Sequence, residues 1–120
     1  MKMQKSFRLL FVLIATLLFS WTSAQAQDGL STIMVMTIDG TIAPASQQYL
    51  GRAVQVAERQ NAEALILQLN TPGGSIATMT EMVQIIRASH VPVIVYITPS
   101  GGMAGSAGTI IPLAGHASAM

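Results

Sequence analysis

Three short apolar runs alternate along this chain with segments in which apolar residues recur at helical spacing. The runs occupy residues 32–38, 64–69 and 91–97. Each has the length of a strand, and turn residues or glycines follow it. The first run, TIMVMTI, is apolar on both faces and ends at Asp39-Gly40. A strand without a polar face predicts a sheet that is covered on both sides.

The segments between these runs predict amphipathic helices. Ser46 is expected to cap a first helix that extends to about Gln60. The buried face of this helix is predicted to carry Leu50, Ala53, Val54 and Ala57. A second helix is predicted over residues 76–88. Its predicted buried stripe is Ile76, Met79, Val83 and Ile86. A third helix is expected to begin near Ser106 and to continue toward the end of the chain.

The order is therefore β-α-β-α-β-α with short connections. This order predicts an α/β fold with parallel strands joined by helical crossovers. Sites in such sheets form at the carboxyl ends of the strands. Two of these ends look alike, because LQLNTPGGS and VYITPSGGM both contain a strand, Thr-Pro and glycines, and a helix is predicted after each. We expect two glycine-rich loops to emerge on the same side of the sheet.

The first residues have the three parts of a secretory signal. Basic residues precede an apolar run over residues 9–19, and Ala24 and Ala26 then form an A-x-A site. This pattern predicts a signal peptide over residues 1–26. It implies an exported protein on the periplasmic or extracytoplasmic face of a membrane. The alternative is a retained anchor helix, but the run is much shorter than the roughly 20 apolar residues that span a bilayer.

Removal of the signal changes the charge balance. Residues 27–120 hold three arginines against five acidic residues, a net charge of −2, and they contain no lysine and no cysteine. No basic patch remains for nucleic acid or for an anionic lipid surface. The chain stops at Met120 within an apolar pattern predicted to be helical. We therefore expect residues 27–120 to be the N-terminal part of a larger domain.

Gly73-Gly74 stands where a predicted strand passes into a helix. Such a pair can present backbone N–H groups to an anion, or it can simply form a tight turn with positive φ angles. The spacing matches neither a Walker loop nor a G-x-G-x-x-G fingerprint. We therefore expect no nucleotide, no other cofactor and no metal ion at this loop.

Ser106 lies in the second glycine-rich loop, within the sequence AGSAG. It can cap the third helix, fill a small space between helices, or act as a nucleophile. A nucleophile needs an exposed Oγ, a base, and N–H donors for an oxyanion. Ala107 and Gly74 are the candidate donors. The stretch departs from a G-x-S-x-G elbow because position 104 is alanine.

A base for Ser106 is the missing element. His90 precedes a strand, at the end opposite the glycine-rich loops. His116 is expected on the same helix as Ser106, roughly 15 Å along its axis, and so beyond hydrogen-bond reach. A catalytic Ser106 would therefore take its base from beyond residue 120. The absence of lysine after Lys5 fits a Ser-Lys pair without establishing one.

Together these motifs carry a family resemblance. TPGG is followed some thirty residues later by P-S-G-x-x-x-x-S-A-G-T and then by AGHASAM. This combination resembles the N-terminal domain of NfeD-type membrane-bound serine proteases of the ClpP class, and the resemblance covers residues 33–120. One departure is Ala104-Gly105 before the serine, where the family often has two alanines. The glycine is expected to loosen the loop and to leave the donor groups intact.

The resemblance implies a ClpP/crotonase-like spiral of ββα units with a parallel sheet, truncated in this chain. It implies that Ser106 is the nucleophile of a Ser-Lys dyad whose lysine lies beyond Met120. The residues it assigns to the oxyanion hole are Gly74 and Ala107. The residues it assigns to a substrate loop are Gly73, Gly102 and Met103.

The implied function is that of an exported, membrane-associated serine endopeptidase. Its expected substrates are apolar segments of membrane proteins such as stomatin-like partners, and it is expected to form a homo-oligomer. Segments beyond residue 120 would provide the membrane attachment. The 120-residue chain alone is expected to be inactive because it lacks the base. Two alternatives remain open, namely a signal-peptide-peptidase or crotonase-type enzyme on the same fold, and a non-catalytic scaffold of a membrane complex.

Overall fold

The computed structural model describes residues 31–120, so the signal peptide predicted for residues 1–26 lies outside the described residues. Within this part of the chain, four parallel strands form one sheet in the order β1-β2-β3-β4. The strands are β1 (Ile33–Asp39), β2 (Ala64–Asn70), β3 (Val93–Ile97) and β4 (Ala117–Ala119). The helices are α1 (Pro44–Arg59), α2 (Ile76–Ala88) and α3 (Ile110–Ala114), and a 3-10 turn, Ser106–Thr109, precedes α3. The predicted alternation of parallel strands and helices is confirmed.

The strand register aligns the carboxyl ends of the first three strands. Asp39 pairs with Asn70 at the end of β1 and β2, and Leu69 pairs with Ile97 at the end of β2 and β3. The glycine-rich loops that follow β2 and β3 therefore leave the same edge of the sheet, as the sequence predicts.

The hydrophobic core lies between one face of the sheet and the helices. Fully buried side chains from the sheet include Leu65, Leu67, Leu69, Val93 and Val95. They meet buried side chains of the helices, including Leu50, Met82, Ile86 and Ile111. Full burial of one such side chain contributes about 1.5–3 kcal/mol. This layer is what holds the strand ends and their loops in place.

The opposite face of the sheet is open in residues 31–120, and the prediction of a sheet covered on both sides is wrong for this part of the chain. Ile33 and Val35 are 55% and 57% exposed. The reason is topological. Strands that follow one another in chain order, joined by right-handed crossovers, place all their helices on one face. The polar pair Thr37 and Gln68 lies on the open face, where the Thr37 hydroxyl donates to Gln68 Oε1 at 2.9 Å.

The first residues of the first two helices differ from the sequence predictions. Ala43 is the N-cap of α1 and Pro44 its first residue, so Ser46 stands inside the helix and not at its cap. The Ser46 hydroxyl accepts from the Ala43 N–H at 2.9 Å and donates to the Ala43 carbonyl at 2.7 Å. The bounds of α2 agree with the prediction, but Ile76 at its first position is 71% exposed. The residues of α2 that are buried are Thr78, Met82 and Ile86.

The third helix is shorter than predicted. α3 ends at Ala114, with Gly115 as its C-cap, and the chain then enters β4. His116 therefore does not lie on a helix with Ser106. Its backbone N–H donates to the carbonyl of Val93 at 2.9 Å, which starts the pairing of β4 with β3. Gly115 has a φ of −59°, which any residue can adopt, but a Cβ at this position would lie 2.9 Å from the Ala117 carbonyl oxygen.

Candidate active site

The loop that carries Ser106 is fastened to the end of β2. Thr71 and Ala104 form a parallel bridge. The Thr71 N–H donates to the Met103 carbonyl at 2.7 Å, and the Gly105 N–H donates to the Thr71 carbonyl at 2.8 Å. Residues 103–105 thus extend the sheet by one short parallel segment. Ser106 follows directly, so its position is fixed by the strand beside it.

The two glycine-rich loops touch at Gly73 and Ser106. Gly73 has a φ of +115°, in the region that favours glycine. A Cβ on Gly73 would lie 2.7 Å from the Ser106 Cβ and 2.8 Å from the Gly105 carbonyl oxygen. A side chain at position 73 would therefore displace the serine. The two loops therefore emerge on the same side of the sheet, as predicted. Glycine is required at position 73 because the Ser106 loop approaches it closely, and not only because its φ is positive.

Ser106 itself has the exposure and backbone geometry of a presented side chain. It is exposed, and its φ is +50°, a region that non-glycine residues rarely occupy. Gly105 holds the N-cap position of the following 3-10 turn, and the Ser106 hydroxyl makes no hydrogen bond to any of residues 31–120. Capping and space-filling roles are therefore inconsistent with the structure. The hydroxyl is free to meet a substrate.

Gly74, the residue that follows Gly73, presents an unpaired N–H group. Ile42 bridges to Gly74 by accepting from the Ser75 N–H at 3.0 Å and donating to the Gly73 carbonyl at 2.9 Å. In a parallel bridge of this kind, the N–H and carbonyl of the central residue point away from the partner. The Gly74 N–H has no partner in the described part of the chain. The Gly73 N–H, by contrast, already donates to the buried Thr71 hydroxyl at 3.1 Å.

Ala107 provides a second unpaired N–H group. The residue is buried, and its N–H lies in the first turn after Ser106 without a partner among residues 31–120. Its nitrogen lies 3.4 Å from the point that a Cβ on Gly73 would occupy. Two free N–H groups beside one exposed hydroxyl are the arrangement that stabilises an oxyanion. Assignment of Gly74 and Ala107 to that role stays a prediction, since a free N–H does not by itself show what it binds.

The predicted substrate loop is a tight turn. The Gly102 N–H donates to the Pro99 carbonyl at 2.6 Å, and Gly101 has a φ of +84°. The Met103 side chain is 54% exposed. The Met103 N–H donates to the side chain of Asn70 at 3.1 Å, a contact that sequence reasoning missed. The available signal was a polar residue placed directly before the Thr-Pro-Gly-Gly turn.

Neither histidine reaches Ser106. The His90 N–H donates to Glu58 Oε1 at 3.0 Å, and His116 Nδ1 accepts from the Val93 N–H at 3.0 Å. Both lie at the amino end of β3, whereas Ser106 lies beyond its carboxyl end. A strand of this length separates its two ends by roughly 13 Å. Residues 31–120 also hold no lysine and no cluster of three side chains able to ligate a metal ion.

An apolar groove opens beside the Ser106 turn. Its volume is about 390 Å³. Ala104 and Thr109, on either side of Ser106 in sequence, contribute to its wall. The other lining residues are Ile97, Pro112, Leu113, Ser118, Ala119 and Met120. Its mostly apolar lining suits apolar side chains.

The parallel sheet with its alternating helices has the ClpP-like fold. A mutant of ClpP1 from Listeria monocytogenes superimposes with a TM-score of 0.62 over 68% of this chain and 46% of that chain. The two sequences are 22% identical, so this likeness shows the fold alone. The chain belongs to the family described as NfeD1b, N-terminal domain, which matches residues 32–120. The predicted family is confirmed, and so is a ClpP-like α/β fold with a parallel sheet.

Two relatives are similar to this chain in sequence. The membrane-bound protease PH1510 of Pyrococcus horikoshii is 43% identical over 88 residues, and the membrane protein NfeD1b of Bacillus subtilis is 30% identical over 104 residues. These alignments cover 73% and 85% of this chain. They cover only 20% and 23% of the relatives, so the chain spans about a fifth of the length of the curated relatives that it matches.

Solved structures of the 1510-N membrane-bound stomatin-specific protease share the fold closely. A lysine-to-alanine mutant, in complex with a substrate peptide, is 42% identical and superimposes with a TM-score of 0.74. The match covers 75% of this chain and 41% of that chain. A serine-to-alanine mutant gives the same TM-score. Close homologues of this chain are therefore serine proteases. In residues 31–120, none of the helices has the length and apolar character required to cross a membrane.

Proposed function

We propose that residues 27–120 are the N-terminal part of a ClpP-like protease domain in a membrane-associated serine endopeptidase, with Ser106 as its nucleophile. The observation that carries the proposal is the position of Ser106. Its hydroxyl is exposed and unbonded, and it stands against Gly73 where the N–H groups of Gly74 and Ala107 are free. Homology to a serine protease supports the same assignment.

In the proposed reaction, Ser106 Oγ attacks a peptide carbonyl while a lysine amine takes the hydroxyl proton. The carbonyl oxygen becomes an oxyanion that accepts hydrogen bonds from the Gly74 and Ala107 N–H groups. Collapse of this intermediate breaks the C–N bond, and the protonated lysine returns its proton to the leaving amine. Water then hydrolyses the acyl-enzyme in the second half of the reaction.

The lysine is proposed to lie outside residues 1–120. Lys2 and Lys5 are the chain's lysines, and both belong to the predicted signal. A lysine mutant of 1510-N holding a substrate peptide supports a base of this type. The 120-residue chain alone is therefore expected to be inactive.

The proposed substrate is an apolar, extended segment of a membrane protein. The apolar groove lined by Ala104 and Thr109 supports this class of substrate, and the name of 1510-N as stomatin-specific supports a stomatin-like partner. We also propose an exported protein that acts at the extracytoplasmic face and assembles as a homo-oligomer. A signal-peptide-peptidase or crotonase-type enzyme, and a non-catalytic scaffold, are the competing functions.

Cleavage of an apolar peptide by the full-length protein tests this proposal. The peptide would carry an apolar segment of a stomatin-like protein, and products would be followed by mass spectrometry. Ser106→Ala should abolish cleavage, whereas Ser100→Ala, an exposed serine in the same region of the chain, should not. Unchanged cleavage by Ser106→Ala would contradict the role of Ser106. A folded wild-type protein that cleaves no such peptide would favour the scaffold.

A further inference from the structure

Asn70, the last residue of β2, connects the end of β1 to the loop that carries Ser106. Its side-chain amide donates from Nδ2 to Asp39 Oδ1 at 3.0 Å. The amide oxygen accepts from the backbone N–H of Met103 at 3.1 Å. One side chain thus uses both ends of its amide, and each end reaches a different segment of the chain.

The connection requires an amide at position 70. An amide donates from nitrogen and accepts at oxygen, and the two neighbours demand one of each. A carboxylate at position 70 would still accept from the Met103 N–H but would face the Asp39 carboxylate at hydrogen-bond distance. The bond to Asp39 is also assisted by charge, which makes it stronger than a bond between neutral groups.

Met103 is the point at which the glycine-rich loop becomes fixed. The residues before it, Gly101 and Gly102, impose little conformational preference of their own. Both backbone groups of Met103 are bonded, its N–H to Asn70 Oδ1 and its carbonyl to the Thr71 N–H at 2.7 Å. Ser106 follows three residues later. A shift at Met103 would therefore be carried to the serine.

We propose that Asp39 and Asn70 are positioning residues for the nucleophile. The pair, named here the Asp39–Asn70 clamp, fixes Met103 and so keeps Ser106 in the register that places it against Gly73. Neither side chain is assigned any contact with substrate. The catalytic consequence rests on the proposed function, whereas the effect on the loop does not.

Exchange of the two side chains tests the clamp in the full-length protein. Asn70→Asp places two carboxylates together and should break the contact with Asp39. The double variant Asp39→Asn/Asn70→Asp restores one amide and one carboxylate in swapped positions, with the composition and charge of the wild type. The Met103 N–H again meets an acceptor. Asn61→Asp, at an exposed site near the amino end of β2, is the matched control for an added negative charge.

Two readouts separate the clamp from the proposed function. The first is amide hydrogen exchange over residues 101–105, and the second is kcat and KM for peptide cleavage. Asn70→Asp should speed exchange at least tenfold and lower kcat at least tenfold, with KM changed less than threefold. The double variant should return both to within threefold of wild type, and Asn61→Asp should resemble wild type. Intact mass should confirm that the introduced amide has not hydrolysed.

The outcomes are distinguishable. The clamp requires the swapped amide and carboxylate to restore both exchange and kcat, so a double variant no better than Asn70→Asp would overturn the proposal. A merely structural role for Asn70 gives no reason for the swap to restore kcat. Wild-type exchange or wild-type kcat in Asn70→Asp would also overturn it. If the wild-type protein cleaves no peptide, the proposed function fails. The exchange measurement then still supports the clamp or rejects it.

Discussion

Gly73 lies against Ser106 so closely that a Cβ atom on Gly73 would fall 2.7 Å from the Cβ of the serine. Two loops from different strand ends meet at this contact. Gly74, one of the two proposed oxyanion donors, is the next residue in the chain after Gly73. Catalysis that depends on these groups should therefore be sensitive to a single methyl group at position 73.

Gly73→Ala should lower kcat by about a hundredfold, the order of loss expected when reacting groups move by about 1 Å. It should also destabilise the fold by about 1–3 kcal/mol through overpacking. Peptide cleavage and thermal unfolding of the full-length protein measure the two effects. Gly40→Ala is the control, since Gly40 has a φ of +123° with no atom within 4 Å of an added Cβ. A Gly73→Ala protein that keeps the kcat of the Gly40→Ala control would contradict the close-approach account.

Ser46→Ala should destabilise the protein by about 1 kcal/mol, the usual cost of losing a side-chain hydrogen bond at a helix start. The Ser46 hydroxyl is the acceptor for the Ala43 N–H, and alanine leaves that group without its partner. Chemical denaturation measures the free energy of unfolding. Gln48→Ala, at an exposed position of the same helix, should change it by less than about 0.5 kcal/mol. Equal effects of the two substitutions would show that the bond contributes nothing.

His116→Leu should destabilise the protein by about 1 kcal/mol because the Val93 N–H loses its acceptor. His116→Asn should recover most of this loss, since its Oδ1 can take the place of Nδ1. His90→Leu is the control, because the structure shows a hydrogen bond only from the backbone of His90. Thermal unfolding of the three variants measures these changes in stability. A full loss in His116→Asn would show that the ring itself, and not its acceptor, holds β4 to β3.

Leu67→Ala should cost about 2–5 kcal/mol, as expected for a fully buried leucine. Val35→Ala, on the open face of the sheet, should cost less than about 1 kcal/mol in the same protein. Denaturant unfolding of each variant tests the difference. Comparable losses at the two positions would show that something covers the second face in the full-length protein.

The sequence was sufficient for the first three strands, the first two helices and the position of the two loops, because alternating apolar segments and glycine turns are local signals. It missed β4, which lies where a continuing helix was predicted. It failed where long-range packing decides. The apolar residues of β1 look buried on both faces, yet Val35 is exposed because the crossovers place every helix on one side. In the predicted stripe of α2 only Ile76 was wrong, because it is exposed, whereas Ile86 is buried and Met79 and Val83 pack partly buried against the core. The extended third helix was wrong because the chain leaves the helix after Ala114 and pairs with β3 as β4.

The candidate site shows the same division. Ser106 and Gly73 could be found from short motifs, since glycines and a serine at strand ends carry a local signal. The free N–H groups at Gly74 and Ala107 could be anticipated as donors, but their freedom is visible only in the hydrogen-bond pattern. A polar residue before the Thr-Pro-Gly-Gly turn marked Asn70, but its contacts could not be predicted, because its partners are each more than thirty residues away in sequence.

Covalent labelling of the full-length protein by a fluorophosphonate probe tests the central claim most directly. The probe reacts with an activated serine, and peptide mapping by mass spectrometry locates the adduct. We predict a single adduct on Ser106 in the wild type and in Ser100→Ala, and none in Ser106→Ala. A folded wild-type protein that takes up no probe, or takes it up at a serine other than Ser106, would contradict the account.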